Sequence, residues 1–475
     1  MAQYRAIFQN AYFKGLATAA VVTIGLAAGQ AQANKESGSS FTGEPLAPMQ
    51  GETLIITGSD VSDPTSGDNL DKYKFIQISA NKTFDKDISI QGGDAATAGN
   101  YVSGSAPTTF TAKSLTVSGT AATNGLLIQG AENKAATAIF TDGVNVQAGV
   151  ISLTGAKANN GTGTLQSTTI DVGSATVTTG ASIELAGTAT QVGYALAGDG
   201  ADGEDVEAGT PKSTSDYTTL SIIKNGSLVT KTGADTTGAV VDAAVLDING
   251  GAINVTKNSS KSDLTLNIVK GDLNAGTITT VDGGTLAIKF ASGDFVDDKN
   301  ALVDKKLTLT SGTLSLGSDI TLSGEGQLVV ANNGDAIKST GAKGITLTNG
   351  AAFAPKDVEN AKTVAGNLPI KIGEKGVLDF GSTAADLDQL TFASEASKAD
   401  STIGLDAAGI IKGDTLSLTK KLGADGIVSG KTVNLGDSGT SNDITGGKIH
   451  ASQTLNIGKN VKAIGQTHEM IEITL

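Results

Sequence analysis

From about residue 110 to the end of the chain, short runs alternate apolar and polar residues, and Gly, Asn or Asp closes most of them within a few positions. Alternation with a period of two predicts short strands with one buried face. The runs are residues 115–117, 151–153, 170–172, 183–185, 246–248, 264–266, 286–288, 307–309, 328–330, 345–347, 370–372, 390–392, 416–418, 433–435 and 455–457.

The spacing of these runs predicts how the strands are arranged. Between residues 246 and 455 successive runs start 17 to 26 residues apart, about 21 on average, with no sustained helical periodicity. Three runs in one such interval, 307–309, 314–316 and 320–322, predict two or three strands per repeat. The expected fold is therefore all-β, a right-handed parallel β-helix (β-solenoid) with irregular coils of about 21 residues. The clearest internal sequence repeat, or echo, consists of residues 415–418, 432–436 and 454–458.

The residue types agree with stacked coils. We expect Leu, Ile and Val to point inward and stack on their counterparts above and below, while Thr and Ser face outward. Gly and Asn supply corners with positive φ. An array of two to four β-sandwich modules gives the same local pattern, but Trp is absent and the last tyrosine is Tyr217, so aromatic core anchors are scarce.

Composition excludes several classes of protein. Charged residues make up 17% and aromatic residues 4%, with 62 Gly, which argues against a helical protein. The absence of Cys excludes disulfides and a lipid-attachment cysteine. The net charge is -14, and Arg5 is the single arginine, so nucleic acid is excluded as a partner.

The N-terminus has the parts of an export signal. Arg5 and Lys14 precede an apolar stretch that is too short to span a bilayer, and Ala31-Gln32-Ala33 follows as a cleavage site. Cleavage after Ala33 removes no acid and changes the net charge to -16. The expected organisation is a signal peptide at 1–33, a polar linker at 34–50, an irregular N-terminal coil or cap at 51–109, and a β-solenoid at 110–475.

A secretion signal followed by degenerate Gly- and Thr-rich coils resembles the passenger regions of Gram-negative autotransporters and related surface adhesins. The resemblance covers residues 110–475. It rests on short recurring sequence patterns, such as Leu-Thr-Leu and the repeated segment at 432–436. It implies a secreted or cell-surface location, associated with the outer membrane. The family usually carries a C-terminal outer-membrane barrel, which is not found in this chain. We expect either a barrel partner or a chain truncated near residues 471–475.

Two motifs suggest enzymes but lack their companions. Gly436-Asp437-Ser438-Gly439 resembles a serine-protease motif, yet His450 and His468 both follow Ser438, where such proteases place the histidine before it. A corner turn is the better interpretation. The pattern Gly198-x-Gly200-x-x-Gly203 matches a dinucleotide fingerprint, but acidic residues crowd it and no helical pattern follows.

Other candidate sites are weaker still. Two acidic loops could bind calcium, although the loop at 199–207 lacks the EF-hand register because residues 201 and 203 are Ala and Gly. Thr308/Thr310 and Thr346/Thr348 have the Thr-x-Thr spacing of ice-binding solenoids, but the coil lengths are too irregular. The two histidines are too far apart to form a metal site. The carboxylates of the loops are Asp60, Asp63, Asp68 and Asp71 in one and Asp199, Asp202, Glu204, Asp205 and Glu207 in the other.

We therefore expect a non-enzymatic protein, with no catalytic residue, metal or cofactor, that acts in adhesion or self-association, as in a biofilm. Its partners would be a host or bacterial surface glycan or protein, or further copies of itself. The mature region is not expected to span a membrane. Two alternatives stay open. One is a polysaccharide lyase or hydrolase, which needs carboxylates paired across coils, and the other is a fibre or matrix subunit.

Overall fold

The computed structural model describes residues 219–390 apart from 231–235, 257–261, 332–335, 341–342 and 360–369, and also 409–419, 426–436 and 448–458. Elsewhere it describes shorter segments, most of them strands between residues 35 and 214. The described residues form strands almost throughout, with one 3₁₀ turn at Leu387–Gln389. Among them there is no helix with the length and apolarity needed to cross a membrane.

The first half of the described chain contains nineteen strands. They are β1 (Lys35–Ser37), β2 (Thr53–Ile56), β3 (Phe75–Ile78), β4 (Lys82–Thr83), β5 (Asp87–Gln91), β6 (Asn100–Val102), β7 (Thr108–Ser118), β8 (Gly125–Gln129), β9 (Ala136–Val146), β10 (Val150–Thr154), β11 (Thr168–Val172), β12 (Ser174–Val177), β13 (Ser182–Thr188), β14 (Thr190–Val192), β15 (Lys212–Ser213), β16 (Thr219–Ile223), β17 (Ser227–Thr230), β18 (Thr236–Asn249) and β19 (Ala252–Val255).

The second half contains twenty-one more. They are β20 (Ser262–Asn274), β21 (Thr277–Thr280), β22 (Gly284–Phe290), β23 (Phe295–Val296), β24 (Lys306–Leu309), β25 (Thr313–Leu316), β26 (Ile320–Ser323), β27 (Gln327–Val330), β28 (Ile337–Ser339), β29 (Ile345–Leu347), β30 (Ala352–Ala354), β31 (Lys371–Ile372), β32 (Val377–Asp379), β33 (Ala384–Asp386), β34 (Thr402–Ile403), β35 (Ile410–Leu418), β36 (Lys421–Leu422), β37 (Ile427–Leu435), β38 (Asn442–Ile444), β39 (Lys448–Ile457) and β40 (Val461–Ile464).

The strands pair in parallel with strands one coil earlier and one coil later, which confirms the expected all-β parallel solenoid. The longest series, here called the long ladder, joins fourteen strands in register from Ile88 to Ile449. At about 4.8 Å per strand, its thirteen steps rise roughly 60 Å. Its members are β5, β7, β9, β12, β16, β18, β20, β24, β27, β30, β32, β35, β37 and β39.

Each coil has three faces where it is best described. Strands β24, β25 and β26 follow one another around one coil, and they pair with β27, β28 and β29 of the next. The prediction was two or three strands per repeat, and this coil has three. The steps in the long ladder run from 17 residues, Ile411 to Val428, to 45 residues, Ala175 to Leu220, and average about 28. The predicted value near 21 is shorter because the sequence runs mixed strands from different faces.

Inward side chains form one continuous apolar core along the stack. The core includes Leu307, Leu328 and Phe353, fully buried at three successive levels of the solenoid, and Leu246 two levels before Leu307. Alternation places the polar neighbours outside, as expected for half-buried strands. Most corners with positive φ are occupied by Gly or Asn, as predicted, and Lys224, Ala275, Lys356 and Lys375 are the non-Gly, non-Asn exceptions in the described part.

The internal echo found in the sequence is a stack in the structure. Thr415, Thr432 and Thr454 lie in register on three successive coils, and Ser417, Asn434 and Asn456 form the row beside them. Asn456 donates to Asn434 at 2.8 Å and Asn434 donates to Ser417 at 3.0 Å. Side-chain hydrogen bonds therefore join the three coils along this row.

Several predicted segments lie partly or wholly outside the described residues. Of the predicted run at 390–392 only Leu390 is described, where it is buried and caps the 3₁₀ turn. Within the predicted linker, β1 pairs with β2, and the strands found between residues 51 and 109 pair in parallel with the coils that follow. The predicted signal peptide at 1–33 and the C-terminal residues 471–475 are outside the described part of the chain.

Candidate functional site

The outward side of the long ladder presents two rows of side chains in register. The first outer row is Val245, Lys270, Lys306, Gln327, Ala352, Val377, Ile410, Ile427 and Lys448. The second outer row is Asp247, Asp272, Thr308, Val329, Ala354, Asp379, Lys412, Ser429 and His450. We call the surface formed by these two rows the outer face. It is partly exposed along its whole length.

The side chains of the second outer row change in character along the solenoid. The second row begins with two carboxylates, Asp247 and Asp272, and ends with Lys412 and His450. Between them the surface is small and apolar, with Val329 and Ala354 in the second row and Ala352 and Val377 in the first. One end of the second row therefore carries two carboxylates, the middle is apolar, and the other end carries the Asp379–Lys412 ion pair and His450.

The apolar middle forms the floor of a shallow groove of about 690 Å³. Lys412 and Asp379 form an ion pair at 2.9 Å at one side of the groove, and half of the Lys412 side chain stays exposed. Lys305 lies 3.7 Å from Glu325 at the opposite side. The groove is thus lined by equal numbers of cationic and anionic side chains around an apolar floor, although the chain as a whole carries a charge of -14.

An ordered loop at residues 291–305 builds one wall of this groove. Phe295 is buried against Ala244 and Val269, which lie where β18 and β20 turn a corner. The carboxylate of Asp297 accepts hydrogen bonds from the backbone amides of Lys299 and Ala301, both at 2.9 Å. These bonds, first that from Ala301 and then that from Lys299, lower the pKa of Asp297. The loop therefore holds Asp304 and Lys305 at the edge of the groove.

The acidic end contains a stacked pair of carboxylates. Asp247 and Asp272 lie directly opposite each other on adjacent coils. Partial burial, and then the charge of Asp272, raise the pKa of Asp247. Thr310 donates to the carboxylate of Asp272 at 2.6 Å. Two carboxylates with different environments are the elements of acid–base chemistry, but this pair lies beyond the residues that line the groove.

The structure places few of the predicted candidate residues near this face. His450 is exposed on β39, with Nδ1 3.2 Å from the Ser429 hydroxyl. Gly436 ends β37 with φ of +72°, in agreement with a corner, while Ser438 and His468 lie outside the described residues. Both acidic loops and the Gly198-x-Gly200-x-x-Gly203 pattern are also outside them. Thr308 and Thr346 are outward on different faces.

Sequence reasoning missed the outer face because the face depends on register. Asp272 and Lys412 are 140 residues apart in the chain, and only the ladder assigns them to one row. The signal that was available is the polar residue in the middle of each alternating run, such as Asp247 in 246–248. Among those central residues Asp247, Thr308 and Val329 do belong to the second row, whereas Asp272 lies outside every predicted run, and Thr265 and Ala287 belong to another face.

Among the residues that the structure describes, no group of three or more acidic, His or Cys side chains is arranged to hold a metal ion. Comparison of the chain with models of protein families, with curated protein sequences and with solved structures finds no match.

Proposed function

We propose that the protein is a non-enzymatic β-solenoid that acts, secreted or at the cell surface, in adhesion or self-association, and that the outer face is its contact surface. The N-terminal sequence pattern supports export, and the resemblance to autotransporter passengers supports the surface location. The single observation that carries the proposal is the order of side chains along the second outer row, from the carboxylates Asp247 and Asp272 through the apolar middle to Lys412.

Such a row is complementary to a second copy of itself in the opposite direction. A two-fold axis between β27 and β30 brings Val329 of each copy to Ala354 of the other. The same axis brings Thr308 to Asp379 and Asp272 to Lys412. An interface of this kind is isologous, so each contact occurs twice.

The chemistry of each contact supports this register. Lys412 already binds Asp379 through one of its three donors, and its exposed half leaves donors for Asp272 of the second copy. Thr308 offers a hydroxyl to Asp379. The apolar contacts lie at the centre and the charged contacts at the rim, as in protein interfaces generally.

Six coils take part, from β20 to β35, which is a length of about 29 Å. A face this long and two or three side chains wide is at the small end of specific interfaces. We therefore expect weak, reversible association of isolated copies. Many copies on one surface would gain strength through avidity.

A charge-swap experiment tests the proposal. Asp272→Lys and Lys412→Glu each place like charges opposite each other twice, and each should weaken self-association about tenfold by analytical ultracentrifugation.

Mixing the two variants restores both contacts. The introduced lysine of one copy then faces the introduced glutamate of the other, and the unaltered Asp272 faces the unaltered Lys412. The mixture should therefore associate like the unaltered chain. Unchanged association in both single variants would reject the face, and failure of the mixture would reject the antiparallel register.

The stacked carboxylates favour one second candidate, hydrolysis of a polysaccharide. In that case Asp247, whose pKa is raised, would donate the proton, and Asp272 would act as the ionised partner. Incubation with neutral and acidic glycans would then produce new reducing ends, and Asp247→Asn would abolish them. We expect no product from the unaltered chain.

A further inference from the structure

Three Asn-Gly pairs lie at exposed corners of the described coils: Asn225-Gly226, Asn249-Gly250 and Asn349-Gly350. Asn-Gly sequences are open to spontaneous deamidation, because Gly has no side chain to obstruct attack by its own backbone nitrogen on the asparagine amide. Asparagine is for this reason a thermolabile residue in proteins. The three asparagines are all exposed, so exposure does not distinguish them.

The backbone amides of the three glycines do differ. Gly226 donates to the carbonyl of Ile223 at 2.9 Å, and Gly250 donates to the carbonyl of Asn274 at 3.0 Å. Within the described part of the chain, Gly350 donates no backbone hydrogen bond of this kind, while its neighbour Ala351 donates to Thr348 at 3.1 Å. An amide that is engaged must first lose its bond before its nitrogen can attack.

We infer that Asn349 is a built-in deamidation site of the folded protein, while Asn225 and Asn249 are protected. The nitrogen of Gly350 attacks Cγ of Asn349, a new C–N bond closes a succinimide ring, and the side-chain amide leaves as ammonia with the proton from Gly350. Water then adds to either ring carbonyl and opens the ring to aspartate or isoaspartate. Water is the only other reactant, and no oxidation or reduction takes place.

The site borders the groove described above. Gly350 is one of the groove-lining residues, and a methyl group placed on it would lie 3.6 Å from Cγ of Glu325. The backbone N–H of Asn349 donates a hydrogen bond to the backbone carbonyl of Glu374 at 2.9 Å. Deamidation therefore adds a carboxylate to the residue that precedes Gly350, at the border of the groove, and isoaspartate adds one backbone atom to the corner. The net charge at this border becomes more negative as the molecule ages.

The test is a time course on the folded full-length chain at mildly alkaline pH, with peptide mapping by mass spectrometry and enzymatic methylation of isoaspartate. Conversion at Asn349 should be about fivefold faster than at Asn225 or Asn249, the ratio expected from one backbone hydrogen bond. In concentrated urea all three should convert at similar rates. A folded-state rate at Asn349 no faster than at the other two overturns the inference. The same preference for Asn349 in urea also overturns it, because the sequence and not the corner would then be the cause.

Matched variants examine the corner itself. Asn349→Gln keeps an amide but must close a larger ring, so conversion at this position should disappear.

The consequence for association rests on the proposed function. Asn349→Asp should bind its own copies more weakly than Asn349→Gln, because its new carboxylate lies at the border of a groove that already contains Glu325. If conversion occurs at Asn349 but these two variants associate equally, the modification site stands and its link to the proposed contact surface is rejected.

Discussion

At the scale of single residues, the stacked carboxylates give a prediction with a definite sign. The pKa of Asp247 is raised in the folded protein, so the folded chain holds this proton to higher pH than the unfolded chain does. Ionised Asp247 therefore lowers the free energy of unfolding. This loss of stability develops as the pH rises from the pKa of Asp in the unfolded chain, about 4, through the raised pKa of Asp247 in the folded chain. Below that range the penalty is absent.

Asp247→Asn should accordingly stabilise the protein at neutral pH. We expect about 0.5 kcal/mol, typical of like charges directly opposite each other on neighbouring strands. Urea denaturation at a series of pH values measures it, and the gain should vanish below about pH 4. Asp282→Asn is the matched control, since it removes the same charge but also an ion pair with Lys343 at 3.4 Å. A gain for Asp247→Asn that persists at low pH would show a cause other than ionisation.

The residue scale also shows what the sequence could and could not predict. The inward Leu, Ile and Val of nearly every alternating run were predicted correctly, because a period of two is a local property. Asp242 was not singled out, although it is buried and accepts hydrogen bonds from Gln191 at 2.5 Å and from Asn267 at 2.6 Å. Its partners lie 51 and 25 residues away in the chain. Only the register of three coils makes this carboxylate compatible with burial.

At the scale of strands and corners, close approach between coils explains one glycine. Gly326 is buried directly under the ring of Phe290, and a methyl group added to it would lie 2.1 Å from Cγ of that ring. The ring is nearly buried and belongs to β22, whose partner strand β26 lies in the next coil. Small size at residue 326 therefore allows an aromatic side chain to fill this corner of the core.

Gly326→Ala should destabilise the protein by about 1–3 kcal/mol, the usual cost of overpacking. Thermal unfolding followed by circular dichroism measures the change. At Gly413 an added methyl group would first meet the end of the flexible Leu416 side chain, at 3.0 Å, so Gly413→Ala should cost less. Equal losses at the two glycines would show that the Phe290 ring moves aside easily, and would contradict the packing argument.

The strands could be predicted more fully than the coils that they belong to. The sequence predicted three strands between residues 307 and 322, and the structure has β24, β25 and β26 there. Assignment of each strand to a face could not be read in the same way, since corners range from two-residue turns to the loop at 291–305. An apolar-polar-apolar triplet has the same appearance on any of the three faces. The average coil length was underestimated for this reason.

At the scale of the whole molecule, the parallel stack was predictable from the sequence and the outer face was not. Repeated short runs, corner residues and the absence of Cys and Trp all favour one solenoid, because stacked coils need only local alternation and neighbours above and below. The outer face is a property of fourteen strands together. Its order of side chains arises from residues such as Asp272 and Lys412, each of which is an ordinary surface residue within its own coil.

The response of self-association to salt is the corresponding whole-molecule prediction. Two copies with a charge of -14 each repel one another, and salt at about 0.1 M screens this repulsion beyond about 10 Å, so association should first strengthen. Toward about 1 M the screening length falls to about 3 Å, and the Asp272–Lys412 contacts of the proposed interface weaken in turn. We therefore expect association to pass through a maximum in sedimentation equilibrium. The double variant Asp272→Asn/Lys412→Gln has the same net charge and should keep the rise but lose most of the fall. A fall as steep as that of the unaltered chain would mean that other charges hold the copies together.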